Sequence, residues 1–271
     1  MNIALISDEN YAFATAITIR SILKYTHDCL IHVVDTGMSV AQSEKITAIS
    51  PCVSVVSLPV WADEWIGNFC MHGDEHVSRS TYAKLLLHRL LPGIDKVLYV
   101  DGDVVAMRDV SLLLNKDLGA GLIGATCNIL TMHKERERLR LGSNYFNAGV
   151  LLCPLNRWRE LDVEKRFLAW YLENISLMRY DDQDIFNGVF AGKVCWIDKR
   201  WNVSQFEVLV ERPLIPIRLE DCGIVHFNGG HKPWDLNYEH RWGLDKNSLA
   251  AARAVIEEFV RGVATVPAGR A

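Results

Sequence analysis

No Cys-x-x-Cys pair occurs in this chain, and its seven cysteines (Cys29, Cys52, Cys70, Cys127, Cys153, Cys195 and Cys222) are odd in number and widely scattered. That distribution argues against a zinc ribbon or a disulfide scaffold and suits free thiols in a reducing cytosol. No apolar run approaches the roughly 18 residues that a spanning helix requires. The opening Met-Asn-Ile-Ala-Leu-Ile-Ser-Asp turns acidic too early for a signal peptide. The expectation is a cytoplasmic protein without stable membrane insertion. Excess basic charge is missing too: net charge is −4, so no global field draws nucleic acid, and any anion site must be built locally. Neither Gly-x-Gly-x-x-Gly after the first strand nor a Walker lysine is present, which argues against a dinucleotide fold and a P-loop enzyme.

What is present is a chain of 271 residues, 49% apolar and 23% charged, enough for one substantial core. Asn2 to Ser7 reads as a buried strand, and Phe13, Ala16, Ile17 and Ile22 follow at near-helical spacing. Ile31 to Val34 and Val53 to Leu58 read as further strands, with Ser39 capping a helix around Ala41 to Ile49. Ser80 to Leu91 places Tyr82, Leu85, Leu86 and Leu90 on one helical face until Pro92-Gly93 stops it. Strands are expected again at Lys96 to Val100, Leu122 to Thr126 and Asn147 to Leu152, and an amphipathic helix at Ser248 to Val263. This alternation predicts an α/β fold with a mostly parallel sheet covered by helices on both faces. Ligands bind such sheets beyond the carboxyl ends of the strands, so Asp8, Asn10, Asp101 and Asp103 should open onto one crevice.

Four segments carry chemistry. In Val100-Asp101-Gly102-Asp103-Val104, two carboxylates at i and i+2 point to one side of an extended backbone, and Gly102 leaves room for a bulky anion at the main chain. Convergent carboxylates repel unless a cation joins them, so a divalent metal site is expected, although Asp-Gly-Asp alone is also an ordinary turn. In His226-Phe-Asn-Gly229-Gly230-His-Lys232-Pro-Trp234, the imidazole can complete that site, while the Gly-Gly amides and Lys232 can meet phosphate oxygens. In Asn144-Tyr-Phe-Asn147-Ala-Gly149-Val, an amide can bond a sugar hydroxyl, with Gly149 giving close backbone access. Tyr180-Asp-Asp182-Gln183-Asp184-Ile-Phe-Asn187 reads as a helix start, where acids complement the dipole and can also bind a polyhydroxylated ligand.

In order, the set Asp-x-Asn-Tyr after a strand, Ser-Thr-Tyr-Ala-Lys, Leu-Tyr-Val-Asp-Gly-Asp, Phe-Asn-Ala-Gly-Val, Asp-Gln-Asp-Ile and His-x-x-Gly-x-x-Lys-Pro-Trp resembles the family 8 retaining glycosyltransferases. The likeness is to the bacterial lipooligosaccharide α-galactosyl- and glucosyltransferase type, related to glycogenin. It implies a single GT-A domain over 1–271, with a nucleotide-binding half at 1–105, a donor-sugar and acceptor half at 106–247, and a C-terminal helix and tail at 248–271. It implies Mn²⁺, with Mg²⁺ as the alternative, on Asp101, Asp103 and His226, bridging the phosphates of UDP-galactose or UDP-glucose. Asp8, Asn10 and Tyr11 would bind the uridine, and Gly102, Gly229 and Lys232 the diphosphate. Lys84, Asn128, Asn147, Asp182 and Gln183 would surround the donor sugar, the last two as catalytic residues, and His76 and Tyr180 would lie near a saccharide or glycolipid acceptor.

Lys84 stands where many such members carry arginine, and Asn128 where they carry aspartate, which leaves the donor open between galactose and glucose. Residues 250–271 hold only three cations, Arg253, Arg261 and Arg270, offset by Glu257 and Glu258, so membrane contact is expected to be transient at most. The rival readings are a glycogenin-like self-glucosylating protein, a non-catalytic nucleotide-sugar-binding scaffold, and a metal-dependent phosphohydrolase. Asp103→Asn is expected from sequence to abolish metal-dependent activity with little change in melting temperature.

Overall fold

A computed structural model of the chain describes residues 1–73, 78–129, 132–208, 215–230, 232–234, 253–254, 256–257 and 259. Among the described residues ten strands run in chain order: β1 (Asn2–Ser7), β2 (Leu30–Asp35), β3 (Val53–Ser57), β4 (Val97–Val100), β5 (Val104–Ala106), β6 (Ile123–Cys127), β7 (Phe146–Cys153), β8 (Val194–Trp196), β9 (Val203–Ser204) and β10 (Ile224–His226). Seven form one sheet in the order β3-β2-β1-β4-β7-β6-β8, and the other three a small sheet, β5-β10-β9. In the large sheet β1 to β4 pair in parallel, as does β8 on β6, and only β7 runs antiparallel to its neighbours β4 and β6. The fold is therefore α/β with a mostly parallel sheet, as the alternation of elements implies.

The apolar runs explain why this sheet is buried on both sides. In β4 every residue is buried, and the period of two divides the strand between two core layers. Val97 and Tyr99 join a layer containing Tyr82, Leu86, Trp158, Phe167, Phe186 and Phe190, whereas Leu98 and Val100 join Ile17 and Ile22 of helix Ala12–Tyr25 on the opposite face. The helix after β2 begins as its sequence indicates. Ser39 Oγ accepts from Gln42 N while Gln42 Oε1 accepts from Ser39 N, a reciprocal cap worth about 1 kcal/mol. Among the described residues no helix is long and apolar enough to cross a membrane. All seven cysteines are free thiols. Of the amphipathic helix expected over 248–263, only five residues are described, all helical, and Ile256 and Phe259 are buried in the core.

Two expectations need correction. Residues 80–91 do not form one α-helix: a 3₁₀ helix covers Arg79–Leu86 and a single α turn covers Leu87–Leu90. Three residues per turn stack Thr81 and Lys84 on one side, and both reach Asp182. The acidic pair is also not on extended backbone. β4 ends at Val100 and β5 starts at Val104 in the other sheet, so Asp101-Gly102-Asp103 is the turn that passes the chain between sheets.

Candidate active site

That turn is fixed from three directions. Asp101 N donates to Gly149 O of β7 (2.8 Å), Phe227 N donates to Asp103 O (3.0 Å), and Thr18 Oγ1 donates to the carbonyls of Gly102 and Val104 (2.9 and 2.7 Å). A side chain at position 102 would place its Cβ 2.7 Å from Thr15 Oγ1, so glycine here serves the close approach of helix Ala12–Tyr25. The space assigned to an anion from sequence is on that side already filled by protein. β10 pairs antiparallel with β5, opposing His226 to Val104, and this register brings the imidazole to the carboxylates. Its Nε2 lies 3.2 Å from Asp103 Oδ1 and 3.6 Å from Asp101 Oδ2.

The three side chains fit a divalent cation. One ligand atom from each of Asp101, Asp103 and His226 lies within 4.8 Å of the others. Asp103 Oδ1 is buried without a hydrogen-bond donor, the kind of orphaned acceptor that a cation satisfies. An imidazole beside two carboxylates departs from the all-oxygen ligand sets typical of Mg²⁺ and Ca²⁺. The other oxygen of Asp103, Oδ2, accepts from Lys232 Nζ at 2.6 Å, and Lys232 also donates to Phe227 O at 2.7 Å. Burial opposes charge on Asp103, but Lys232 and His226 outweigh it and hold the carboxyl well below the ordinary carboxylate range.

A cavity of about 360 Å³ opens beside this cluster. Of the residues singled out from sequence, Asp8, Tyr11, Lys84, Asp101, Gly102, Asp103, Asn128, Asn147, Tyr180, Asp182, Gln183 and His226 line it. Asn10 is exposed and outside the lining, its backbone N–H donating to Asp8 Oδ1. Gly229 is packed beneath Phe206 rather than on the wall, and Lys232 is also outside the lining but donates to Asp103, which is part of it. His76 lies outside the described residues.

Reading by motif missed several groups. Asp8 Oδ2 accepts from the hydroxyls of Ser78 (2.7 Å) and Ser80 (3.2 Å), which tie the 3₁₀ segment to the end of β1. Tyr99 OH donates to Asp101 Oδ1 at 2.6 Å. The signal for Tyr99 was available, since residues two apart along a strand share a side, but an aromatic in an apolar run reads as core. Asp181, in the left-handed region at φ 42°, accepts from the backbone of His72 and Gly73 and from Tyr82 OH, and so secures residues 72–73 at the cavity edge. Asp184 does not face the cavity: it accepts from the backbone of Arg179 and Tyr180 and pairs with Arg138 and Tyr145.

Lys84 is shared. Its ammonium lies 2.9 Å from Asp101 Oδ1 and 3.1 Å from Asp182 Oδ2, with all three side chains largely enclosed. Burial works against the ammonium, yet the two carboxylates keep it charged and raise its pKa. One cation cannot neutralise two buried anions, and Asp182 carries the deficit: burial lifts its carboxyl to about 6 despite Lys84 and Thr81. A folded-state pKa above the unfolded value means that the native protein binds the proton more tightly between about pH 4 and 6. Raising pH through that window therefore destabilises the fold. Asp182→Asn should remove this component, so the variant's stability relative to the parent should rise by about 2–3 kcal/mol from pH 4 to 6.5. Parallel denaturation curves at both pH values would contradict the assignment.

The chain as a whole is similar to known proteins. A Haemophilus influenzae protein whose name goes no further than glycosyltransferase is 31% identical over 253 residues, 89% of this chain and 74% of its own length. The lipopolysaccharide 1,2-glucosyltransferase of Escherichia coli K12 is 26% identical over 186 residues, 65% of this chain, and the match spans about half (53%) of that enzyme. The crystal structure of galactosyltransferase LgtC in complex with donor and acceptor sugar analogs superimposes with a TM-score of 0.80 at 27% identity, covering 100% of this chain and 98% of that one. The fold is accordingly of the GT-A type. With the family model matching residues 2–237, the chain belongs to glycosyl transferase family 8.

Proposed function

We propose that this glycosyltransferase moves galactose or glucose from its UDP-sugar to a saccharide acceptor, with retention at the anomeric carbon, and that Mn²⁺ is held by Asp101, Asp103 and His226. The observation that carries the reading is the convergence of those three ligand atoms within 4.8 Å at one wall of the cavity that also presents Lys84, Asp182 and Gln183. When bound, the cation acts as a Lewis acid on the diphosphate leaving group. The protein's own part is to orient and exclude water. Tyr11 lines the wall near Lys232, whose ammonium is 5.7 Å from its ring centroid, and would stack on the uracil beside Asp8. Lys84 and Asn128 would read the hexose, and Tyr180 and His76 would face the acceptor. Lipopolysaccharide or another surface polysaccharide is the proposed acceptor class, reached without stable membrane insertion.

Retention by double displacement needs a free nucleophile beneath the anomeric carbon. Gln183 Oε1 already accepts from Ala148 N (3.0 Å) and Asn147 Nδ2 (3.1 Å), so its lone pairs are committed. The Asp182 carboxylate is engaged by Lys84 and Thr81. This favours a front-face route in which the departing phosphate deprotonates the acceptor hydroxyl; a covalent hexose trapped on Asp182 by mass spectrometry would overturn it. The function itself is tested by a panel of UDP-sugars with Mn²⁺, scored by UDP release and by intact mass. Slow UDP release with UDP-galactose or UDP-glucose is expected. Rapid release of inorganic phosphate would indicate a phosphohydrolase, stepwise mass gain a self-glycosylating protein, and UDP binding without turnover a scaffold.

A further inference from the structure

Asn202 is a buried amide just before β9, absent from every motif read in the sequence, and its side chain contacts the ring of His226. Asn202 Oδ1 lies 3.0 Å from His226 Nδ1, and Asn202 Nδ2 donates to Asn147 Oδ1 at 2.8 Å. Amide oxygens and nitrogens are interchangeable by shape alone, but here backbone donors leave no choice. Ala148 N donates to Gln183 Oε1, so that atom is oxygen, and Gln183 Nε2 faces Tyr145 OH (2.9 Å), which donates to Asp184 Oδ1 (2.7 Å). Gly149 N donates to Asn147 Oδ1 at 2.9 Å, so that atom is oxygen as well. Asn202 must then turn its nitrogen toward Asn147 and its oxygen toward the imidazole. An oxygen at that position requires a proton on His226 Nδ1, so Nε2, which faces Asp103 Oδ1 and Asp101 Oδ2, is the ring nitrogen left for a cation.

We propose that Asn202 is a positioning residue for the metal ligand: it holds His226 in the Nδ1–H tautomer and fixes the ring plane, so that Nε2 is always presented to the cation. The inference rests on the reading of Asp101, Asp103 and His226 as a metal site. Second partners of this kind raise ligand basicity and fix ring orientation. Asn202 is itself held. Lys199 Nζ donates to Asn202 O (2.9 Å) and pairs with Glu207 Oε2 (2.8 Å), which also accepts from Ser204 N (2.8 Å). β10 pairs with β9 so that His226 opposes Ser204. The two amides Asn147 and Asn202 thus connect Gln183, at the donor side of the cavity, to the imidazole by uninterrupted hydrogen bonds of one polarity.

Two measurements on the full chain test this. Long-range ¹H–¹⁵N correlation on metal-free protein at pH 8.5 should show a proton on His226 Nδ1 in the parent and a shift toward a ring protonated at Nε2 alone in Asn202→Ala. A titration with Mn²⁺, reading free ion by electron paramagnetic resonance without nucleotide sugar, should show affinity lowered about 10- to 100-fold in that variant. Asn202→Asp keeps an acceptor for Nδ1–H and should retain the parent tautomer. A His226 Nδ1 without a proton in the parent overturns the proposal without any variant, as does unchanged Mn²⁺ affinity in a folded Asn202→Ala. Failure of the parent to bind Mn²⁺ would instead remove the metal-site reading, and the tautomer measurement would still judge Asn202.

Discussion

Gly149→Ala should abolish Mn²⁺-dependent transfer. A Cβ at this position would lie 2.1 Å from His226 Cε1, 2.6 Å from His226 Nδ1 and 2.8 Å from Asp101 Oδ2, distances that no relaxed structure tolerates. The strand cannot give way. Gly149 O accepts from Asp101 N, Gly149 N is held by Asn147 Oδ1, and the next residue, Val150, pairs with Val100 in the middle of the large sheet. The imidazole must therefore move, and movement away from the new methyl group takes it from both the carboxylates and Asn202. A ligand displaced by about 1 Å costs roughly 10²-fold in rate, and loss of the ligand costs more. Turnover with Mn²⁺ is expected to fall by at least about 10²-fold, with overpacking lowering stability by about 1–3 kcal/mol. Gly93→Ala, where a Cβ meets nothing within 4 Å, is the matched control and should change neither quantity. Parent-level Mn²⁺ affinity in Gly149→Ala would show that His226 is not fixed where the geometry puts it.

That glycine also illustrates where sequence reasoning stopped. Read as part of Phe-Asn-Ala-Gly-Val, Gly149 promised backbone access for a sugar; in the structure its missing side chain makes room for a histidine 77 positions later in the chain. The strand positions, the Ser39 cap and the alternation of strand and helix in the first half were legible because they are local consequences of residue type. The convergence of Asp101, Asp103 and His226 was legible because the chemistry of the residues, taken with the family likeness, demanded it. The 3₁₀ character of Arg79–Leu86 was not, since Tyr82, Leu85, Leu86 and Leu90 fit a 3.6-residue period as well as their true one. Asn202, Ser78, Ser80 and Asp181 act through partners distant in sequence, and a single polar residue gives no sign of which distant donor it will meet.

Asp103→Asn separates the two roles this carboxylate plays, and here the structure changes the expectation. The loss of metal-dependent activity stands, because an amide presents only a weak neutral oxygen to the cation. An unchanged melting temperature does not. Asp103 Oδ2 is 2.6 Å from Lys232 Nζ, and both side chains are nine-tenths buried. Neutralising one member of an enclosed pair leaves an ammonium facing a dipole, with Phe227 O still accepting from it, and that is costlier than losing an exposed ion pair. A destabilisation of about 2–3 kcal/mol is expected, or a fall in melting temperature of roughly 5–10 °C for a chain of this size. Removing the orphaned charge should reverse it: Asp103→Asn with Lys232→Met should regain most of the stability and none of the activity. The coupling measured by that cycle reports the pair, and the residual Mn²⁺ response reports the ligand. Stability lost without recovery in the double variant would mean that Asp103 supports the turn in some way other than through Lys232. Retained Mn²⁺-dependent turnover in Asp103→Asn would remove it from the metal site altogether.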